Sequence, residues 1–138
     1  MSVEENKKSV TLITEEIWNK GNVNVADEHI APAWSYHGPF GEFNGAEGFK
    51  QMVTVFRNIF PDCTFTIDDM FGEGEKLAVR YTVTGTMKGE MMGIPPTGKS
   101  MTISAAYFYR FENGKEVEVL PYSDSQDMMQ QLGLVPTN

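Results

Sequence analysis

The chain has 138 residues, 41% of them hydrophobic and 12% aromatic, with a formal net charge of −8. That length suits a single domain spanning 1–138 with a real core, and the composition excludes a disordered chain. The 11 Lys and Arg, outnumbered by 19 Asp and Glu, leave no electrostatic footprint for phosphate backbones, so a nucleic-acid partner is set aside. The single cysteine, Cys63, excludes an intrachain disulfide and a cysteine-rich zinc site. The polar opening "MSVEENKK" is followed by no apolar run of signal-peptide type, and no apolar stretch approaches the ~20 residues of a membrane span. The expectation is a cytoplasmic protein with no membrane partner.

Ser2 and Glu5 have capping-box spacing, and Val10, Ile13 and Ile17 follow at intervals of three and four. This predicts an amphipathic helix ending near Lys20-Gly21. A short second helix covers "NVADEHI" and stops before Pro32. Asn44 and Glu47 form a second capping-box pair. The helix behind them carries the stripe Phe49, Met52, Val53, Phe56, Ile59 and Phe60 and ends at Pro61. From there the period changes to two. Cys63, Phe65, Ile67 and Phe71 mark one strand, Leu77 to Val83 the next, and Met101 to Phe111 a third, with turn signals between them. A last strand begins near Glu116. A short C-terminal helix follows, with Ser123 and Gln126 in capping-box spacing. Helices first and meandering strands afterwards give an α+β domain, in which helices on one face of a curved antiparallel sheet leave a cone with a pocket inside.

Residues 93–100, "GIPPTGKS", fit the phosphate-loop pattern G-x-x-x-x-G-K-[ST]. Such a loop needs a helix N-terminus behind it and a run of free backbone N–H groups. Here the aromatic and β-branched strand "MTISAAYFYRF" follows, and Pro95 and Pro96 remove two N–H groups. The stretch reads instead as a stiff connection between strands, with Met91, Met92 and Ile94 as apolar contacts at a pocket mouth. Met suits that place because it adapts to irregular ligands.

Nucleophilic chemistry has little support, since Cys63 lies among apolar residues and reads as a buried structural thiol. His29 and His37 lack metal-ligand spacing. His37 reads as either a hydrogen-bonded surface group or a pocket group. Asp69 falls in phase with the apolar face of its strand. Because an unpaired buried charge is costly, it pairs with a group such as Arg80, is turned out by a bulge, or faces the pocket. Asp124 stands where the last strand meets the terminal helix, as first helical residue behind a Ser123 cap. It reads either as a stabilising first-turn acid or as a general base at a pocket wall. Asp127 is the alternative one turn on.

The segments "EEIWNKGN", "APAWSYHGP", "GAEGFKQMVTVFRNIFPD", "MMGIPPTGKS", "YRFENGK" and Asp124 before "QQLG" together span nearly the whole chain. As an ordered set they resemble the SnoaL-like polyketide cyclases (ester cyclases) of the NTF2-like superfamily. The resemblance implies a cone-shaped α+β barrel, assembled as a homodimer or homotetramer through its sheet. It implies intramolecular aldol closure of a hydrophobic carbonyl compound, with no metal and no organic cofactor. The family's acid/base aspartate falls on Asp124 and its histidine on His37. Tyr107 or Arg80 would assist at a carbonyl oxygen, while Trp18, Phe56, Phe60 and Met92, with Asp69, would line the pocket. The approach to the aspartate departs from the family's "GKIVEEWxxWD". Glu116 replaces an apolar residue, Leu120 replaces an aromatic, and Pro121 enters the strand, which calls for an edge or a bulge. Two alternatives accompany this reading. One is a non-catalytic binder of hydrophobic small molecules. The other is a ketosteroid-type isomerase, which would need two carboxyls converging on one pocket and in which Asp69 and Tyr107 could serve only if both face inward.

Overall fold

The computed structural model describes residues 2–38 and 41–135 and, of residues 37 and 38, the backbone only. Ser2 caps α1 (Val3–Leu12), its hydroxyl accepting the Glu5 N–H at 3.1 Å and donating to the Glu5 carboxylate at 3.2 Å. The helix continues with π-type hydrogen bonding over Ile13–Asn19 and buries Ile13, Thr14, Ile17 and Trp18. Gly21, at φ 78°, lets the chain turn back on itself, so that the N–H groups of Gly21 and Asn22 reach the carbonyls of Ile17 and Glu16. The last carbonyls, of Trp18 and Asn19, accept from the Arg57 guanidinium at 2.7 and 3.2 Å. The end of the helix is therefore satisfied without solvent.

A single 3₁₀ turn (Val23–Val25) leads to α2 (Ala26–His29) and then to β1 (Ile30–Gly38), so Pro32 lies inside a strand. β2 (Gly41–Asn44) precedes α3 (Gly45–Ile59). Asn44 is the N-cap of α3 but makes no side-chain cap bond, and Glu47 turns instead to Lys50 at 3.1 Å. The expected second capping box is absent. β3 (Thr64–Glu73), β4 (Lys76–Thr86), β5 (Ser100–Glu112) and β6 (Lys115–Ser123) complete the sheet, and α4 (Ser125–Gln131) follows.

Sheet order is β2-β1-β6-β5-β4-β3. The strands pair antiparallel except β1 with β6, which run parallel. The curved sheet stays open, with β2 and β3 as its edges, and with the helices it forms the expected α+β cone. Its inner face carries the alternating residues of the sequence pattern, Leu77, Val79, Tyr81 and Val83 on β4 and Met101, Ile103 and Ala105 on β5, all buried. The helices cover that face.

Bulges break the alternation twice. Between Ile67 and Asp69 the β3–β4 register shifts by one residue, so Met70 packs inward while Asp69 and Phe71 turn out. Phe71 is 63% exposed, against the inward position its phase suggested. A second shift, between Arg110 and Phe111, sets Phe111 opposite Glu116 and Arg110 opposite Glu118. The extra residue, Val117, is buried beside a buried Glu116. Such one-residue insertions bend a strand and increase its twist. Pro121 pairs with Tyr107 of β5, beyond the last β1–β6 contact at Ser35–Glu118, so its missing N–H falls on a locally free edge.

Gly21 and Gly74 separate two costs. Both have positive φ, but a Cβ at Gly21 would meet Arg57 Nε at 2.9 Å, while one at Gly74 meets nothing within 4 Å. Gly74→Ala is expected to lose about 1 kcal/mol for backbone strain alone. Gly21→Ala should lose about 2 kcal/mol or more, because the guanidinium must also leave its carbonyls. Urea denaturation of the two variants checks the difference.

Candidate functional site

A cavity of about 340 Å³ lies between the helices and the inner face of the sheet. Its walls are mainly apolar and aromatic, with Trp18, Phe49, Phe56, Phe65 and Tyr107 among them. Trp18 stands edge-on to Phe49 and Phe56, with ring centroids 6.0 and 5.7 Å away. At one end the wall is formed by Met92, Tyr122, Ser123, Ser125, Met128 and Met129. Met92 is 58% exposed, which marks this end as the mouth. The opposite end is closed and holds Glu116. Six residues of β6 lie between Glu116 and Ser123, a path of roughly 20 Å along the strand at ~3.3 Å per step. The volume and lining are those of a small-molecule site.

Of the residues singled out in the sequence, Trp18, Phe56, Met92 and Tyr107 lie on the cavity wall. The others do not. Phe60 leaves the helical stripe as the C-cap of α3 and packs under Phe56 and against Gly85, in the core. Asp69 is expelled by the β3 bulge, and its carboxylate accepts its neighbour's N–H, from Met70, at 2.9 Å. Arg80 is out of phase with the inner face of β4 and lies 3.8 Å from Asp68 on the outside. Asp124 is exposed, and it is the N-cap of α4 itself, one residue later than the expected Ser123 cap. Its Oδ1 accepts the Asp127 N–H at 2.9 Å. The neighbours on either side, Ser123 and Ser125, line the mouth. His37 belongs to β1, paired with Glu42, but its side chain lies outside the described residues. Cys63 is buried, 3.4 Å from the Trp18 carbonyl, and burial raises its thiol pKa despite nearby Arg57.

Residues 93–100 do not form a phosphate cradle. Met91 and Ile94 exchange both backbone hydrogen bonds, at 3.0 and 2.9 Å, around a tight turn. Met92 and Gly93 there have φ of 50° and 80°, the pair of positive angles a type I′ turn demands. The next element is β5, a strand, so no helix N-terminus faces the loop.

Glu116 is the group the sequence did not single out as a site. It is 1% exposed. Its Oε2 accepts the Trp34 indole N–H at 2.7 Å, while its Oε1 has no protein partner. Burial raises its pKa to about 8, with the indole hydrogen bond opposing, so the carboxyl holds its proton at neutral pH. Close by runs a hydroxyl chain. Thr14 donates to the Val10 carbonyl at 2.8 Å, so Tyr81 must donate to Thr14, at 3.3 Å. Tyr109 must then donate to Tyr81, at 2.7 Å. Burial pushes Tyr81 up to about 12 and Tyr109 well above its ordinary value. Tyr107, on the wall, is also raised by burial. Among the described residues no group of three or more His, Cys, Asp or Glu is placed to hold a metal ion, and no helix is long and apolar enough to cross a membrane.

A raised folded-state pKa on a carboxyl gives stability that is full below the unfolded value and lost as pH rises to the folded one. For Glu116 that window runs from 4.5 to about 8. Across it, wild type should lose stability relative to Glu116→Gln with a slope approaching about 1.4 kcal/mol per pH unit. Denaturation of both proteins over the window checks the sign.

The sequence model of one family, described as SnoaL-like polyketide cyclase, matches residues 8–132. Among proteins of curated function none matches the chain. The fold is similar to a crystal structure from Acidithiobacillus ferrooxidans, proposed to be a polyketide cyclase. It is 30% identical, with TM-score 0.81, over 99% of this chain and 100% of that one. Wild-type IdmH from Streptomyces antibioticus is 28% identical, with TM-score 0.77, over 93% of this chain and 98% of its own. A SnoaL-like polyketide cyclase from Agrobacterium tumefaciens shares the fold at 22% identity, with TM-score 0.78, over 96% and 100% of the two chains. With the family model spanning all but the two ends, and the helices and curved sheet enclosing an apolar cavity, the chain belongs to the SnoaL-like polyketide cyclase family.

Proposed function

We propose that the protein takes a flat, hydrophobic carbonyl compound into the cavity and promotes intramolecular aldol ring closure on it by proton transfer, without a cofactor. The observation that carries this reading is the aromatic-walled cavity of about 340 Å³ whose mouth is built from Ser123 and Ser125, on either side of Asp124. Asp124 would remove a proton from the substrate carbon between two electron-withdrawing groups. The electron pair would delocalise into the substrate as an enolate and attack a second carbonyl, and the proton would return to the new alkoxide. Oδ1 is held by the Asp127 N–H, which fixes the carboxylate and leaves Oδ2 for the substrate. A base so placed is worth typically ~10²–10⁴-fold.

A second reading, ligand binding without turnover, is favoured by the exposure of Asp124 and its duty as a helix cap. The isomerase reading loses ground, because the β3 bulge turns Asp69, the second carboxyl it called on, out of the inner face. Proton exchange separates the first two. A naphthyl β-keto ester would be incubated in D₂O and its exchange at the carbon between the carbonyls followed by NMR. Catalysed exchange should fall about 10²-fold or more in Asp124→Asn, with binding unchanged. Binding without accelerated exchange in wild type would leave the non-catalytic reading. No binding at all would overturn both.

The same reading assigns a second copy of the chain to the outer face of the sheet. Phe71, Phe108, Leu120 and Tyr122 stand exposed there, in a groove with Glu73, Lys76, Arg110 and Glu118. An apolar patch rimmed by both signs of charge can pair with itself across a two-fold axis. Light scattering should find a dimer at micromolar concentration, and Phe108→Glu should convert it to monomer. A monomeric wild type would sink the assignment.

A further inference from the structure

We propose that Glu116 recognises the ligand at the closed end of the cavity, its Oε1 hydroxyl donating a hydrogen bond to a carbonyl oxygen at the ligand's leading end. The inference rests on the proposed reading only in its first half, that the cavity takes a hydrophobic molecule. It does not depend on Asp124 or on turnover.

Three observations carry it. First, Glu116 lines the cavity at its buried end, where the other walls are apolar or aromatic. A carboxyl in such a place is costly to keep unless something repays its desolvation. Second, the protein satisfies only half of it. The Trp34 N–H occupies Oε2, and Oε1 is left without a partner. Because Oε2 already receives a hydrogen, the acid hydrogen falls to Oε1, which makes that atom a donor. Third, the neighbouring hydroxyl chain is committed elsewhere. The Tyr81 and Tyr109 hydroxyl hydrogens are committed to Thr14 and Tyr81. The Asn6 amide is also buried and unpaired, but it does not line the cavity.

The charge state selects the ligand. Facing Glu116 from β4 and β5 are Tyr81 and Tyr109, whose hydroxyls burial keeps protonated. From β1 come Trp34, which is not titratable, and Tyr36, likewise raised by burial. Packed against β6, α2 carries Asp27, Glu28 and His29, of which Asp27 is paired with Lys50 at 2.8 Å. Among the described residues no cation lines the cavity to ionise Glu116. An uncharged donor among apolar walls matches a ketone or quinone oxygen, and it strengthens its bond as negative charge gathers on that oxygen.

The test measures binding of three naphthalenes of similar shape by calorimetry, namely 2-acetonaphthone, 2-isopropylnaphthalene and 2-(aminomethyl)naphthalene. At about pH 6 the ketone should bind about three- to tenfold more tightly than the hydrocarbon. In wild type this preference should vanish by about pH 9.5, as Glu116 loses its proton. Glu116→Gln keeps a donor and should retain the preference at both values, while Glu116→Leu should lack it at both. Equal affinity for ketone and hydrocarbon overturns the inference and spares the cavity reading. So does a preference that ignores pH in wild type, or one for the amine. If none of the three binds, the inference and the cavity reading fall together. Should Glu116→Leu fail to fold, the pH profiles of wild type and Glu116→Gln still decide.

Discussion

Two side-chain amides finish this sheet where strands run out. Asn19 donates to the Phe65 carbonyl at 3.0 Å and accepts the Phe65 N–H at 2.7 Å, on the edge strand β3. Gln131 repeats the arrangement on Thr102, accepting its N–H at 2.7 Å and donating to its carbonyl at 3.0 Å. Thr102 lies beyond the reach of β6, whose pairing with β5 stops at Ala105–Ser123. Each amide thus completes a backbone that would otherwise present open hydrogen-bonding groups. Each also fastens a helical segment, since Asn19 ends the first helix and Gln131 ends α4. Trp18, next to Asn19, and Met128, one turn before Gln131, are held over the sheet by these two fastenings. The cavity is what remains between them.

The curvature that gives the cavity depth comes from the two bulges, which treat acidic residues in opposite ways. One residue inserted in β3 expels Asp69 from the inner face. One residue inserted in β6 brings Glu116 in, next to Val117. The first spares the protein a buried charge. The second imposes a buried acid, tolerated because it keeps its proton and because Trp34 meets it.

Period and punctuation made the elements legible in the sequence. The helical stripe from Phe49, the alternation along β4 and β5 and the glycine turns all sit where those patterns place them, because burial enforces a strict period. The β3 bulge was one of three readings of Asp69, and the bulge at Val117 was not legible. A single inserted residue has no letter of its own and shows only as a broken phase, as at Asp68-Asp69. Glu116 stood out only against the pattern of the family the sequence resembles, while simple alternation places it on the same side as Glu118, which the bulge disproves. The cap of α4 was displaced by one position because Ser123 and Asp124 are both good caps, and only the backbone turn decides between them. Arg80 and Phe60 were misplaced for a related reason. Phase along a strand, and the point where a helix leaves its stripe, are set by neighbours distant in sequence.

The connection from β4 to β5 is tied at its base and free at its tip. Met87 and Lys99 are bonded across its stem, and the N–H groups of Lys88 and Gly89 both reach the Ile59 carbonyl at the end of α3. Gly89 lies so close to the Asn58 carbonyl that a Cβ there would collide with it. The tip holds Met92 in a left-handed conformation uncommon for a methionine, with its side chain at the mouth of the cavity. Displacing that tip breaks apolar contacts and relieves backbone strain, and leaves every stem bond in place. For a molecule taken into the cavity as proposed, residence time would then depend on the side chain at 92 apart from the stem. A slow exchanger and a fast one could share this scaffold and differ by little more than the residue at 92.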